Sequence, residues 1–205
     1  LGLCNFLKQK GHHVQVVMPN DFPDFLKWIP EASSIINYEQ NFEETKTAIQ
    51  KAEIIFTLDF NALNRTGGLA TELEQAAADF ILIDHHQQPD DYALVTYSDV
   101  AMCSTSEMVF HFMEKLEGIK LLNKEIATQL YVGIMTDTGS FRFQTTTATT
   151  HRVIADLMEA GAENASIHEN VYDTNSPDRL KLLGIALNNI VMLPQFRTAY
   201  ITISQ

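Results

Sequence analysis

The chain has 205 residues, enough for one sizeable domain or for one domain and part of another. Hydrophobic residues make up 45% and charged residues 20%, an ordinary balance for a soluble globular protein, and no apolar run approaches the roughly 20 residues of a membrane span. The net charge of −12, from 14 basic and 26 acidic side chains, argues against a basic groove for long nucleic acid but admits a small phosphorylated ligand whose charge bound metal ions offset.

Leu3, Phe6 and Leu7 fall at helical spacing, and Gly11 marks the end of that helix. No Ser, Thr, Asp or Asn caps its start, so the natural protein is expected to continue upstream of Leu1. A strand pattern over Val14–Met18 is followed by turns at Pro19, Pro23 and Pro30. Next come a short strand at Ile35–Tyr38, a helix at Phe42–Lys51 and an apolar strand at Ile54–Leu58 that ends at Asp59. A helix at Leu69–Ala77 leads to the strand Phe80–Ile83, which ends at Asp84. Short apolar strands alternating with helices predict an α/β fold, a doubly wound, mainly parallel sheet with helices on both faces. Ligands of such sheets bind beyond the carboxyl ends of the strands, where Asp59 and Asp84 both fall.

From Ser104 onward the pattern is mostly helical. Ser104 with Glu107 reads as a capping box for a helix to about Leu116. Further helices are expected at 123–137, 149–160, 164–173 and 177–192, with the Thr cluster at 145–150 capping the helix that carries Val153, Leu157 and Met158. Pro194 breaks the pattern, and Thr198–Ser204 reads as a strand with no hairpin partner.

Two cysteines, Cys4 and Cys103, form no C-x-x-C pair, which argues against a thiolate zinc site or a disulfide framework and agrees with a reducing cytoplasm. No basic-then-apolar leader opens the sequence, so the expected location is cytoplasmic.

Asp59, in "IIFTLDFNALNR", is open to two readings. One is an Asx-turn residue at a strand end; the other is a carboxylate aimed into a cleft, with Arg65 in the same loop. Arg65 alone reads as a surface ion-pair residue. His85 and His86 follow Asp84 directly, whereas the pair His12-His13 precedes a strand at its amino end and reads as an exposed connector. A bare His-His pair therefore proves little, and position at a carboxyl strand end is what favours a ligand role. Asp137, in "LYVGIMTDTGSFRF", sits in the last turn of a helix marked by Ile126, Leu130 and Ile134 and stopped by Gly139. Its charge faces the negative end of the helix dipole, which costs about 0.3–1 kcal/mol unless a bound cation reverses the sign. The remaining histidines His111, His151 and His168 show no ligand pattern, and Arg142 reads as an ion-pair residue. Oxygen ligands mixed with one imidazole suit Mn²⁺ or Mg²⁺.

Taken together, "LDFNALNR", "IDHH" and "GIMTDTGSFRF" resemble, in order, three motifs of the DHH phosphoesterases, and the opening "GLCNFLKQKGHHVQVVMPNDFPDFLKWIP" resembles the segment that follows the family's first motif. The resemblance implies two Mn²⁺ ions side by side, with Mg²⁺ or Co²⁺ as substitutes, activating a water that attacks phosphorus. It implies that Asp59 bridges the ions and that His85 and Asp137 complete one of them. His86 would contact the scissile phosphate, Asp84 would orient the triplet, and Arg65 would join the catalytic group. The family's first motif and its glycine-rich substrate-binding domain have no counterpart in the sequence. The implied organisation is a catalytic domain at 1–175 shortened at its amino end, a linker helix at 176–192, and at 193–205 the first strand of a substrate-binding domain.

"YDTNSPDRLKLLGIAL" resembles the inter-domain linker of the family's compact branch, which acts on short oligoribonucleotides and adenosine 3′,5′-bisphosphate. A small phosphorylated substrate or short RNA is therefore expected, without long nucleic acid or membrane, and a homodimer is compatible with this. Cyclic dinucleotides or their linear products, polyphosphate or pyrophosphate, and a non-catalytic ligand-binding role are the alternatives.

Overall fold

A computed structural model describes residues 1–203. The first helix, α1 (Gly2–Gln9), is followed by a short strand β1 (Val17–Met18), which pairs in parallel with β2 (Ile36–Asn37). After α2 (Phe42–Lys51) come β3 (Ile54–Leu58), the helix α3 (Ala70–Glu74), β4 (Asp79–Asp84) and β5 (Val95–Ser98). The last three strands form one parallel sheet in the order β3-β4-β5. Helices then dominate, with α4 (Thr105–Lys115), α5 (Lys124–Asp137), α6 (Ala148–Glu159), α7 (Asn164–His168) and α8 (Pro177–Asn188). An antiparallel hairpin of β6 (Ile190–Leu193) and β7 (Thr198–Ile201) follows. Among the described residues, no helix is long and apolar enough to cross a membrane.

The alternation of side chains along β3 and β4 sets the layers. Phe56, Leu58, Ile81 and Ile83 turn to the larger core, with Leu3 and Phe6 of α1, Met108 and Met113 of α4, Ile126 and Ile134 of α5, and Leu157 of α6. Ile55 and Phe80 turn the other way, against Ile49 of α2, Leu73 of α3 and Leu69 just before α3. The parallel α/β architecture with helices on both faces is thus as the sequence predicts. Each fully buried aliphatic side chain of the larger core contributes about 1.5–3 kcal/mol. The contact of α4 with α5 is close because Gly133 has no side chain; a Cβ there would fall on Ser106.

Several expectations are corrected. The parallel strands form two separate sheets, one of two strands and one of three, because β1 and β2 are only two residues long. The predicted helix at Leu69–Ala77 shortens to α3 and is preceded by 3₁₀ turns over Leu63–Leu69, interrupted at Gly67 (φ 61°). The helix expected over 164–173 changes to wider π turns at Glu169–Asp173. The helix expected to reach 192 ends at Asn188, and Ile190–Leu193 turns back as β6, so the strand at 198 does have a hairpin partner. An apolar run of four residues is equally legible as the end of a helix, which is why periodicity missed it. Ser204, the last residue of the strand expected there, lies outside the described residues, as does Gln205.

Ser104 does cap α4, its Oγ accepting from the Glu107 amide at 3.0 Å, but Glu107 does not complete the box. Its carboxylate is buried and accepts from Cys103 Sγ (2.7 Å) and Thr150 Oγ1 (3.0 Å) instead. A complete capping box is formed at α6 by Thr147 and Thr150. His12 and His13 are exposed, as read from the sequence.

Candidate metal and phosphoester site

Asp59, Asp84 and His85 are brought together by sheet register. β3 and β4 run in parallel with Leu58 opposite Ile83, so Asp59 leaves one strand beside the end of the next, and its amide donates to Ile83 O at 3.1 Å. Asp59 adopts a left-handed backbone conformation (φ 67°), which Asp and Asn tolerate better than other side chains. This turns its carboxylate over the carboxyl edge of the sheet rather than along the strand. Asp59 Oδ1 accepts from Thr105 Oγ1 at 2.7 Å and stands 3.6 Å from both His85 Nε2 and His86 Nδ1.

Asp84 is completely buried at the end of β4. Its Oδ1 accepts from the His86 amide and faces His86 Nδ1 at 2.9 Å, and its Oδ2 has no partner among the described residues. A buried carboxylate that orients a ring in this way leaves His86 Nε2 for other contacts.

Asp137 is the last residue of α5, and the chain leaves the helix through three successive left-handed residues, Gly139, Ser140 and Phe141. Asp137 Oδ2 reaches to 3.3 Å from His85 Nε2. Burial pushes its carboxyl above the ordinary value; His85 opposes that shift and Asp59 adds to it.

His85 is the meeting point. Its Nδ1 faces Met102 O at 3.2 Å, and since a carbonyl can only accept, the proton belongs on Nδ1. Its Nε2 faces carboxylate oxygens of Asp59 at 3.6 Å and of Asp137 at 3.3 Å, an arrangement that a cation between the three groups would favour. Donor atoms of Asp59, His85 and His86 lie within 4.8 Å of one another. Carboxylate oxygens with one or two imidazoles fit a hard to borderline divalent cation. Asp59 and Asp137 also line a cavity of about 390 Å³ between β3, α4 and α5, with Ser104, Thr105 and Thr136 among its polar lining.

Five of the six candidates from the sequence, Asp59, Asp84, His85, His86 and Asp137, therefore meet at one edge. Arg65 stands apart. It is exposed, and its Nη1 donates to Asn61 Oδ1 at 2.9 Å, while Asn61 Nδ2 donates to Gln87 O at 2.6 Å. Sequence reasoning missed the segment after β5. That segment supplies Met102 O to His85 and Thr105 Oγ1 to Asp59. The β-branched and aromatic run Val95-Thr96-Tyr97 carried the signal for β5, and the strand-end rule would then have pointed to the residues that follow it.

The model of the DHH family, N-terminal domain, matches residues 1–134. The chain belongs to the DHH family. DHH phosphoesterases are metal-dependent hydrolases, and Asp84, His85 and His86 lie within the matched residues. The bifunctional oligoribonuclease and PAP phosphatase NrnA of Thermus thermophilus is 28% identical over 191 residues, covering 93% of this chain and 53% of that protein. The NrnA of Bacillus subtilis is 30% identical over 116 residues, 56% of this chain and 37% of that protein. An exopolyphosphatase-related protein from Bacteroides fragilis has the same fold, with a TM-score of 0.97 and 35% identity over 98% of this chain and 59% of its own. This DHH chain thus spans about half the length of relatives that it matches almost from end to end.

Proposed function

We propose that this DHH protein is a Mn²⁺-dependent phosphoesterase that hydrolyses short oligoribonucleotides and adenosine 3′,5′-bisphosphate. The observation that carries the reading is the convergence of Asp59 and Asp137 on Nε2 of His85, whose other nitrogen is committed to Met102 O. Asp59, His85 and Asp137 would hold the metal, and Asp59, which faces both histidines, would be the ligand common to the ions bound there. Bound there, divalent cations acidify water and neutralise charge on phosphoryl oxygens. His86 contacts the scissile phosphate through the nitrogen that Asp84 leaves free. Asp84 fixes the ring, and Arg65, anchored through Asn61, extends toward a phosphate of the substrate. The names of the NrnA relatives support the choice of substrate, as does the net charge of −12, which disfavours long polyanions.

A second reading, polyphosphate as substrate, is favoured by the exopolyphosphatase-related neighbour. One assay separates the two. The Mn²⁺-loaded protein is given adenosine 3′,5′-bisphosphate, dinucleotides, RNA chains of tens of nucleotides, and polyphosphate. AMP from the first and mononucleotides from the second are expected. A strong preference for long RNA would overturn the proposal, and orthophosphate from polyphosphate alone would select the second reading.

A further inference from the structure

We infer that Thr105 is a positioning residue for the metal centre, its hydroxyl holding the Asp59 carboxylate in the orientation that serves His85 and Asp137. The inference rests on the metal site proposed above. The side chain of Asp59 is 53% exposed and leaves its strand through a left-handed residue, so little packing restrains its rotamer. The hydroxyl proton of Thr105 is the donor that it accepts, at 2.7 Å, on the same oxygen that faces both histidines. One lone pair of Oδ1 is thereby occupied, and the other and the whole of Oδ2 stay free for a cation.

Thr105 is itself held. It is buried, it is the first residue of α4, and β-branching leaves its χ1 few choices. Ser104 before it caps the helix, and Cys103 before that donates to Glu107, which also accepts from Thr150 of α6. One residue earlier still, the Met102 carbonyl faces Nδ1 of His85 and fixes its tautomer. A single segment therefore orients both of the proposed ligands from behind, the arrangement by which metal sites fix ligand geometry.

The test is Mn²⁺ titration, followed by heat, of wild type, Thr105→Val and Thr105→Ser, with thermal unfolding of each metal-free protein alongside. Thr105→Val keeps the shape and removes the hydroxyl; it should weaken Mn²⁺ binding by roughly 10-fold or more, as outer-sphere substitutions do, while unfolding at the wild-type temperature. Thr105→Ser should restore the affinity. If Thr105→Val binds Mn²⁺ like wild type, or Thr105→Ser fails to rescue, or affinity falls only in step with unfolding temperature, the inference falls and the metal reading stands. If wild type takes up no Mn²⁺, both fall.

Discussion

Nε2 of His85 stands 3.3 Å from an oxygen of Asp137, joining the end of a β-strand to the end of a helix. The contact makes Asp137 a ligand candidate despite its unfavourable place at the negative end of the helix dipole. Asp137→Asn and Asp59→Asn should both weaken Mn²⁺ binding, and Asp59→Asn should weaken it more because its carboxylate faces both histidines. The measurement is the stoichiometry and affinity of Mn²⁺ in a calorimetric titration. Unchanged values in either variant would remove that residue from the site.

His86 lies within the same cluster of donor atoms as His85, yet its Nδ1 is turned to buried Asp84. A role toward substrate predicts that His86→Asn lowers kcat by about 10²–10³, the cost of losing one donor to developing charge, with Mn²⁺ affinity unaltered. A fall in affinity of the same size would make His86 a metal ligand instead.

Cys103 tests the network behind the site. Burial, and then Glu107, push its thiol up to about 12. A raised value means that the stability supplied by the thiol form is complete below the ordinary value of 9.0 and is lost as pH rises through the folded value. Denaturant titrations between pH 8 and 11 should show wild-type stability falling relative to Cys103→Ala. The folded protein should also resist alkylation at Cys103 at pH 8.5, and rapid labelling there would contradict the burial.

Gly133 lies inside α5, where a change to Ala ordinarily stabilises a helix by about 0.5–1 kcal/mol. Here the added Cβ meets Ser106, the neighbour of Thr105, so α4 must move. Gly133→Ala should destabilise by about 1–3 kcal/mol in denaturant titration, the cost of overpacking, and should weaken Mn²⁺ binding as well. A stabilised variant would show that α4 and α5 give way without cost.

The sequence carried the parallel α/β architecture because β3 and β4 are apolar runs bounded by polar turns, long enough for their period to be read. It carried β5 only in the short β-branched and aromatic run Val95-Thr96-Tyr97, and it did not separate β6, an apolar run directly after a helix, from the end of that helix. At the site, Asp59, Asp84 and the histidines could be placed because the ends of parallel strands are adjacent wherever the register is even. Asp137 could be placed only on its helix; its approach to His85 depends on how α5 packs. Thr105 was hidden by its neighbour, since Ser104 and Glu107 explained that stretch as a helix start and left no reason to ask where the next hydroxyl pointed. Glu107 shows the same limit in reverse, being spaced for a cap and used to join α4 to α6.

The left-handed backbone at Asp59 sorts the changes this position can accept. Asn and Gly suit that conformation, so either removes the charge while leaving the turn intact, and the resulting protein should unfold at the wild-type temperature. Val, Ile or Thr would strain the turn as well as remove the carboxylate, merging loss of the charge with loss of fold. Glu keeps the charge but lacks the short side chain that eases the left-handed turn. Asn and Gly are therefore the substitutions that separate loss of charge at residue 59 from loss of fold.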